Sequence, residues 1–309
     1  MSARSGAALA STRAGRLANA ALGVLLSCRP KQWTKNALVF AAPMAAGSIL
    51  LWPVLRATLL TLVAFVLASS STYLLNDVLD RHRDALHPTK RYRPIAAGIV
   101  PVPAALVASL LLGASSILLA LTELDLATVA VLTSYVALTL AYSLRLKHEP
   151  VLDIGVVAAG FVLRAVAGGL AAHVFISHYF LLVAGFGALF LVASKRYAEL
   201  NRQSADAQAT RRVLATYSPG FLNLTRTLAA TTTVVTYCFW AFERATQLHD
   251  GRLLLGLSIA PFTLAVLRYA LLVEHGHGEA PEDLLLEDRA MLALGGLWFL
   301  LVAGSILVA

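Results

Sequence analysis

Long apolar stretches constrain this chain more than any other feature. A helix of about twenty apolar residues matches the roughly 30 Å hydrocarbon layer of a bilayer. The chain offers nine such stretches, near 36–55, 57–78, 101–121, 125–146, 151–172, 178–197, 226–245, 252–273 and 289–308. With 58% hydrophobic and 14% charged residues among 309, and a mean hydropathy of +0.73, a soluble fold is excluded. The reading is an all-α integral membrane protein of nine transmembrane helices. The first span is the weakest, since Pro43 and Gly47 interrupt it and Trp52-Pro53 is expected to close it.

The cations orient the chain. With nine spans, one side receives the N-terminus and the loops after the even-numbered spans, and 21 of the 25 Lys and Arg residues fall there. Only Arg56, Arg244 and Arg252 fall on the other side, and Arg164 lies inside a span. The positive-inside rule then puts the N-terminus in the cytoplasm and the C-terminus outside, in a multi-pass protein of the plasma (inner) membrane. The net charge of +8 is explained the same way, so nucleic acid is not an expected partner. Cys28 and Cys238 are too few and too separated for a disulfide framework or a zinc site.

Residues 1–28 contain Arg4, Arg13 and Arg16 ahead of an apolar patch, a pattern like a signal peptide. Cleavage there would export the basic stretch Arg29-Pro30-Lys31-Gln32-Trp33-Thr34-Lys35, against the charge distribution of every later loop. The expectation is instead a flexible cytoplasmic tail over 1–28, an amphipathic entry with Trp33 at headgroup level, and one membrane domain over 29–309. The two longest loops, about 79–100 and 197–225, are both on the cytoplasmic side.

Acid and base concentrate where the second span meets water. Asn76-Asp77-Val78-Leu79-Asp80-Arg81-His82-Arg83-Asp84 leads at once into His87-Pro88-Thr89-Lys90-Arg91-Tyr92-Arg93-Pro94. On a continuing helix, Asn76, Asp77, Asp80 and Asp84 share one face through three- and four-residue spacings. Carboxylates at a helix C-terminus oppose the macrodipole, so fold stability does not call for them. A divalent cation does: Mg²⁺ takes one or two carboxylates together with phosphate oxygens. Taken alone, Lys90, Arg91 and Arg93 read as inside-positive residues; their place directly after the acidic face favours phosphate binding.

The motif Asn76-Asp77-x-x-Asp80-x-x-x-Asp84 resembles the first aspartate-rich motif of the UbiA superfamily of membrane prenyltransferases. The stretch His87 to Gly98 resembles one branch of it, the decaprenyl-phosphate phosphoribosyltransferases. So do Arg29 to Asn36, Tyr142-Ser143-x-x-Leu146-Lys147-His148, Leu163-Arg164-Ala165-x-Ala167-Gly168-Gly169 and Lys195-Arg196-Tyr197-Ala198-Glu199-Leu200. Phe242-Glu243-Arg244 and Pro281-Glu282-Asp283 extend the likeness over the whole chain after the tail. The resemblance implies a cavity open to the cytoplasm and, laterally, to lipid. It implies transfer of 5-phosphoribosyl from phosphoribosyl diphosphate (PRPP) to a polyprenyl (decaprenyl) phosphate, the first step toward a lipid-linked arabinose donor for cell-wall arabinan, and it allows a homo-oligomer. Asp77, Asp80 and Asp84 would be catalytic, holding Mg²⁺ with Asn76. Lys35, Asn36, Asn76, Lys90, Arg91, Arg93, Tyr142, Lys147, Asp153, Lys195, Arg196, Tyr197 and Glu199 would bind substrate.

One departure bears on the branch. Superfamily members that ionise a prenyl diphosphate usually carry a second acidic motif after the sixth helix, where this chain has Lys195-Arg196-Tyr197-Ala198-Glu199, with Asp206 further on. Cations there suit a substrate with an additional phosphate. Two alternatives remain: a prenyltransferase joining a prenyl diphosphate to an aromatic or other small acceptor, and a lipid or small-molecule transporter, which intramembrane Asp153 and Arg164 would also suit.

Several residues have bland readings beside the functional ones. Lys195 and Glu199 have the spacing of an ordinary helix pair. Asp153 and Arg164, about 16 Å apart along one helix, cannot pair with each other. Asp153 lies near the cytoplasmic end and Arg164 deeper, as a structural contact or on the lipid path. Tyr73, Tyr135 and Tyr142 are cavity residues or interfacial anchors, Gly168-Gly169 reads as close helix packing, and His275-Gly276-His277 with the acids after it reads as a solvated loop.

Overall fold

A computed structural model of the chain describes residues 13–201, 212–248, 250–276, 284 and 287–308. Among them every regular element is helical: α1 (Arg13–Ser27), a 3₁₀ segment Pro30–Phe40, α2 (Ala41–Ala45), α3 (Trp52–Ala85), α4 (Val102–Glu123), α5 (Leu126–Leu144), α6 (Leu152–Ala171), α7 (His178–Asn201), α8 (Pro219–Ala245), α9 (Arg252–Leu257), α10 (Ile259–Glu274) and α11 (Arg289–Leu307). They form two compact units. The first comprises the described residues up to Ala37 with Leu59–Ser143, and the second Leu38–Thr58 with Leu144 onward.

Seven helices among the described residues are long and apolar enough to cross a membrane, against nine expected: α3, α4, α5, α6, α7, the near-continuous pair α9–α10, and α11. The first expected span, 36–55, is not one helix. It is built from the 3₁₀ segment, the five residues of α2 and a turn at Gly47, whose φ of +73° favours a residue without Cβ. Trp52-Pro53 opens α3 rather than closing the segment before it. Proline in a first helical turn costs nothing, because that N–H has no partner anyway. The span expected at 226–245 lies within α8, whose threonines lower its apolar character but turn their hydroxyls back onto its own carbonyls: Thr225 on Phe221, Thr233 on Ala229 and Thr236 on Thr232, at 2.9, 2.7 and 2.7 Å.

The first unit is held by serines and a small apolar core. Ser71 and Ser109 exchange hydroxyl-to-carbonyl bonds between α3 and α4 at 2.7 and 2.8 Å, and Ser116 donates to the Ala64 carbonyl at 2.7 Å. Cys28, Leu74, Val78, Ile95, Val100 and Ala105 pack as one cluster. Ile95 and Val100 thereby pin the loop after α3 against α3 itself, which fixes Arg93 beside the acidic turns. Residues 13–27, expected as part of a flexible tail, form α1, and its Gly23 lies so close to that loop that a Cβ would meet Val100 Cγ2 at 2.6 Å.

In the second unit, Ile154, Val192, Leu200, Val213, Leu214, Tyr217 and Leu222 pack where α6, α7 and α8 meet. Ser218 caps α8 by accepting the Phe221 N–H at 3.0 Å. The Gly168-Gly169 pair is a close-packing device. A Cβ on Gly168 would stand 1.8 Å from the Val39 carbonyl oxygen, and one on Gly169 would stand 2.6 Å from Ile176 Cδ1. The first obstacle is backbone and has no rotamer to retreat into. Gly168→Ala is therefore expected to destabilise by about 3 kcal/mol or more, at the upper end of overpacking costs. Thermal unfolding of the detergent-solubilised variant checks it; unchanged stability would mean this contact is not as close as described.

Candidate functional site

The acidic turns of α3 carry a charged quartet in the first unit. Asp77 and Asp84, seven residues apart and so on one helix face, are only 3% and 4% exposed. Arg93 donates through one nitrogen to Asp77 Oδ1 at 3.1 Å and to Asp84 Oδ2 at 2.6 Å. Arg29 donates to the same Asp77 oxygen and lies over the Tyr73 ring at 5.0 Å. Its backbone adopts φ = +55°, a left-handed conformation that few residues other than glycine take. Asp80 turns a side further out, with Arg83 3.9 Å away, and Asn76 beside it is half-buried.

The residues expected beside this face occupy varied settings. Asn36 is fully buried and donates to Ser69 Oγ at 3.2 Å, while Lys35 bonds Gln32 within the 3₁₀ segment. Lys90, half-buried, starts a short 3₁₀ turn whose backbone N–H leans on His87 Nδ1 at 3.4 Å. Arg91 is exposed and engages its neighbour Tyr92, at 2.7 Å to the hydroxyl. Tyr142 is half-buried near the end of α5, and Tyr135 is buried against Phe65, ring centroids 5.1 Å apart.

A second cluster lies in the second unit. Asp153, with no exposed surface, accepts Arg196 Nε at 3.0 Å on one oxygen and the Tyr217 hydroxyl on the other. Arg196, 4% exposed, also donates from Nη1 to Glu199 at 2.9 Å. The Tyr217 oxygen in turn accepts the Val151 N–H at 2.7 Å. Val151 sits at φ +68°, ψ −45°, and Leu152 N–H reaches back to the Pro150 carbonyl at 2.8 Å, which makes a γ-turn of the rare, strained kind on a β-branched residue. Burial first, and the bond to Asp153 second, push the Tyr217 phenol above its ordinary range, so it stays protonated at any working pH. Tyr217→Phe leaves both Val151 N–H and Asp153 short of a partner. A loss of about 1–3 kcal/mol is expected in chemical or thermal unfolding, with no dependence on pH between 6 and 9; a neutral substitution would show that the hydroxyl is not needed to hold the turn.

Lys195 is half-buried beside this cluster in the chain, and Lys147 lies in the 3₁₀ turn Leu146–His148. Tyr197 belongs to an interhelical lock: it donates to Glu274 at 3.0 Å and stacks under Arg226 at 4.2 Å, and Arg226 donates to Glu274 at 2.8 Å. Arg164 is buried and donates to the Gly160 carbonyl at 2.7 Å. Asp206, His277 and the acids from Glu279 to Asp283 lie outside the described residues.

Two site residues escaped the sequence reading. Arg29 was part of a recognised stretch, but its pairing with a residue 48 positions away has no local signature. Tyr217 sits just ahead of a Ser-Pro helix start, a signal for the helix alone.

Hard carboxylate oxygens on one helix face suit Mg²⁺ by donor chemistry. Among the described residues no three His, Cys, Asp or Glu side chains are yet gathered as a metal cage; Asp77 and Asp84 instead converge on a guanidinium, a cation already standing between them. A hexacoordinate ion that keeps waters and phosphate oxygens needs no such cage, so the residues fit it once those arginines give way.

A family described as "UbiA prenyltransferase family" matches residues 37–294. The chain is 43% identical over 294 residues to a decaprenyl-phosphate phosphoribosyltransferase of Mycobacterium tuberculosis, spanning 94% of this chain and 96% of that protein. It is 40% identical over 293 residues to the protein of that name from Corynebacterium glutamicum, spanning 94% and 88%. Among solved structures, a UbiA homolog from Archaeoglobus fulgidus bound to GPP and Mg²⁺ superposes with a TM-score of 0.68 at 17% identity, over 93% of this chain and 99% of that one.

Proposed function

Because the chain belongs to the UbiA prenyltransferase family, a family of multi-pass membrane proteins, we propose that it transfers 5-phosphoribosyl from PRPP to a long-chain polyprenyl phosphate, decaprenyl phosphate in particular, with release of diphosphate. The observation that carries this reading is identity of 40–43% across 94% of the chain to proteins of that activity. The acidic and basic turns supply the chemistry it requires.

Asp77, Asp80 and Asp84, with Asn76, would hold Mg²⁺, which when bound neutralises charge gathering on the departing diphosphate. Arg93, Lys90 and Arg91 bind donor phosphates from the loop after α3. Lys35, Asn36 and Tyr142 border the donor in the first unit. Lys147, Asp153, Lys195, Arg196, Tyr197 and Glu199 are further proposed contacts to substrate, the cations among them to phosphate. An oxygen of the lipid phosphate forms the new bond to ribose C1 as the C1–O bond to diphosphate breaks. That oxygen is already ionised at neutral pH, so no strong general base is needed. Catalysis is then positioning and electrostatic stabilisation of an oxocarbenium-like state. In-line attack inverts C1 and gives a β-linked phosphoribosyl lipid. The basic side of the chain, and with it these turns, faces the cytoplasm.

The test is transfer of radiolabel from PRPP to the organic phase by the purified protein with Mg²⁺ and decaprenyl phosphate. Label requiring both lipid phosphate and metal is expected. No label in the lipid, with transfer instead from geranyl diphosphate to 4-hydroxybenzoate, would replace this reading by that of a prenyltransferase.

A further inference from the structure

The charged quartet has an unusual balance. Two carboxylates, 3% and 4% exposed, lie behind two guanidinium groups whose side chains are 27% and 28% exposed, so the arginines are the accessible face of the cluster. Two negative charges are met by two positive ones. Within the quartet a divalent cation arriving alone finds no net negative charge, and to reach Asp77 or Asp84 it must displace an arginine from bonds such as those at 2.6 and 3.1 Å. A cation arriving with a diphosphate meets a different situation. Phosphate oxygens accept a guanidinium fork at least as well as carboxylate oxygens do, so each arginine exchanges one anion for another at little cost.

Arg29 is held for such an exchange. A left-handed backbone on a non-glycine residue is strained. It is kept here while the side chain is stacked over Tyr73 and aimed at the carboxylate. Arg93 is placed from the other side by the buried Ile95 two residues on.

We propose that Arg29 and Arg93 form a counter-ion latch: they occupy Asp77 and Asp84 until a diphosphate arrives, then move to it, so that divalent cation binding is conditional on the donor. The proposal rests on the assignment of Asp77 and Asp84 as metal donors. It adds Arg29 to the donor-binding residues and makes the order of binding a property of the protein.

Binding of Mn²⁺ as a Mg²⁺ substitute, followed by its electron paramagnetic resonance in the purified full-length protein without any substrate, tests the latch. Wild type is expected to bind Mn²⁺ weakly. R93Q should bind it at least tenfold more tightly, R29Q should move the same way, and R93K, which keeps the charge but not the fork, should fall between. In parallel, Mg²⁺ alone should leave the melting temperature of wild type unchanged and raise that of R93Q, whereas Mg²⁺ with inorganic diphosphate should raise that of wild type. Equal Mn²⁺ affinity in wild type, R29Q and R93Q overturns the latch. The double variant Asp77→Asn/Asp84→Asn separates the two ideas. If it abolishes the Mg²⁺-diphosphate stabilisation while the arginine variants change nothing, the latch alone fails. If it keeps wild-type stabilisation, the metal assignment fails and the latch with it.

Discussion

Asp77→Asn lowers phosphoribosyl transfer by on the order of 10²–10³-fold, the usual loss when one preorganised charge-stabilising group is removed from a site. The substitution is nearly isosteric and keeps an oxygen where Arg29 and Arg93 donate, so the local packing of Leu74 and Val78 is spared. What it removes is the negative charge. Arg93 then keeps the charge of Asp84, Arg29 faces a neutral amide, and the partial exposure of both arginines lets water compensate, which limits the stability cost. The expected signature is a large fall in initial rate, measured with saturating PRPP and lipid, beside a melting temperature within a few degrees of wild type. A variant as active as wild type would remove Asp77 from the reaction. A collapse of stability equal to the loss of activity would make the quartet a structural device only.

Arg196→Ala has the second large effect, this time on stability. It leaves Asp153, which has no exposed surface, with Tyr217 as its remaining named partner, and it removes the Arg196 bond from Glu199. Breaking a buried pair by deleting one member costs about 3–5 kcal/mol, because the other charge stays in a poorly solvating place. A fall of about 10 °C in melting temperature is expected. Pairing the change with Asp153→Asn should recover part of the loss, since no uncompensated carboxylate then remains. Activity separates structure from substrate binding: Arg196→Lys, which keeps the charge but cannot serve Asp153 and Glu199 in the same way, should lose stability and rate together. A stable Lys variant with rate lost tenfold or more would place this guanidinium on a substrate phosphate.

Much of the site was legible because it is local. Asp77, Asp80 and Asp84 lie on one helix, and three-, four- and seven-residue spacings state which of them share a face before any coordinates exist. The structure refines this: Asp77 and Asp84 are buried behind the partly exposed Arg93, while Asp80 stands further out near Arg83. Gly168 was readable as a packing glycine for the same reason, since a small residue in an apolar helix has few other uses, though not that the backbone it admits is Val39. The count of spans was less legible. Hydropathy cannot tell an apolar helix from an apolar stretch broken into a 3₁₀ segment and a turn, as 36–55 is.

The sequence alone determined that the chain is helical and built for a bilayer, because run length and apolar content are properties of neighbouring residues. It determined the family, and pointed to the candidate metal cluster, through a motif of nine consecutive residues, 76–84, and the stretches around it. Tertiary structure decided which charges meet. Arg29 reaches Asp77 across 48 positions, Tyr217 reaches Asp153 across 64, and the strain at Val151 is held by that same tyrosine. Such pairings depend on how helices pack and where loops are pinned, and no spacing within a single element encodes them.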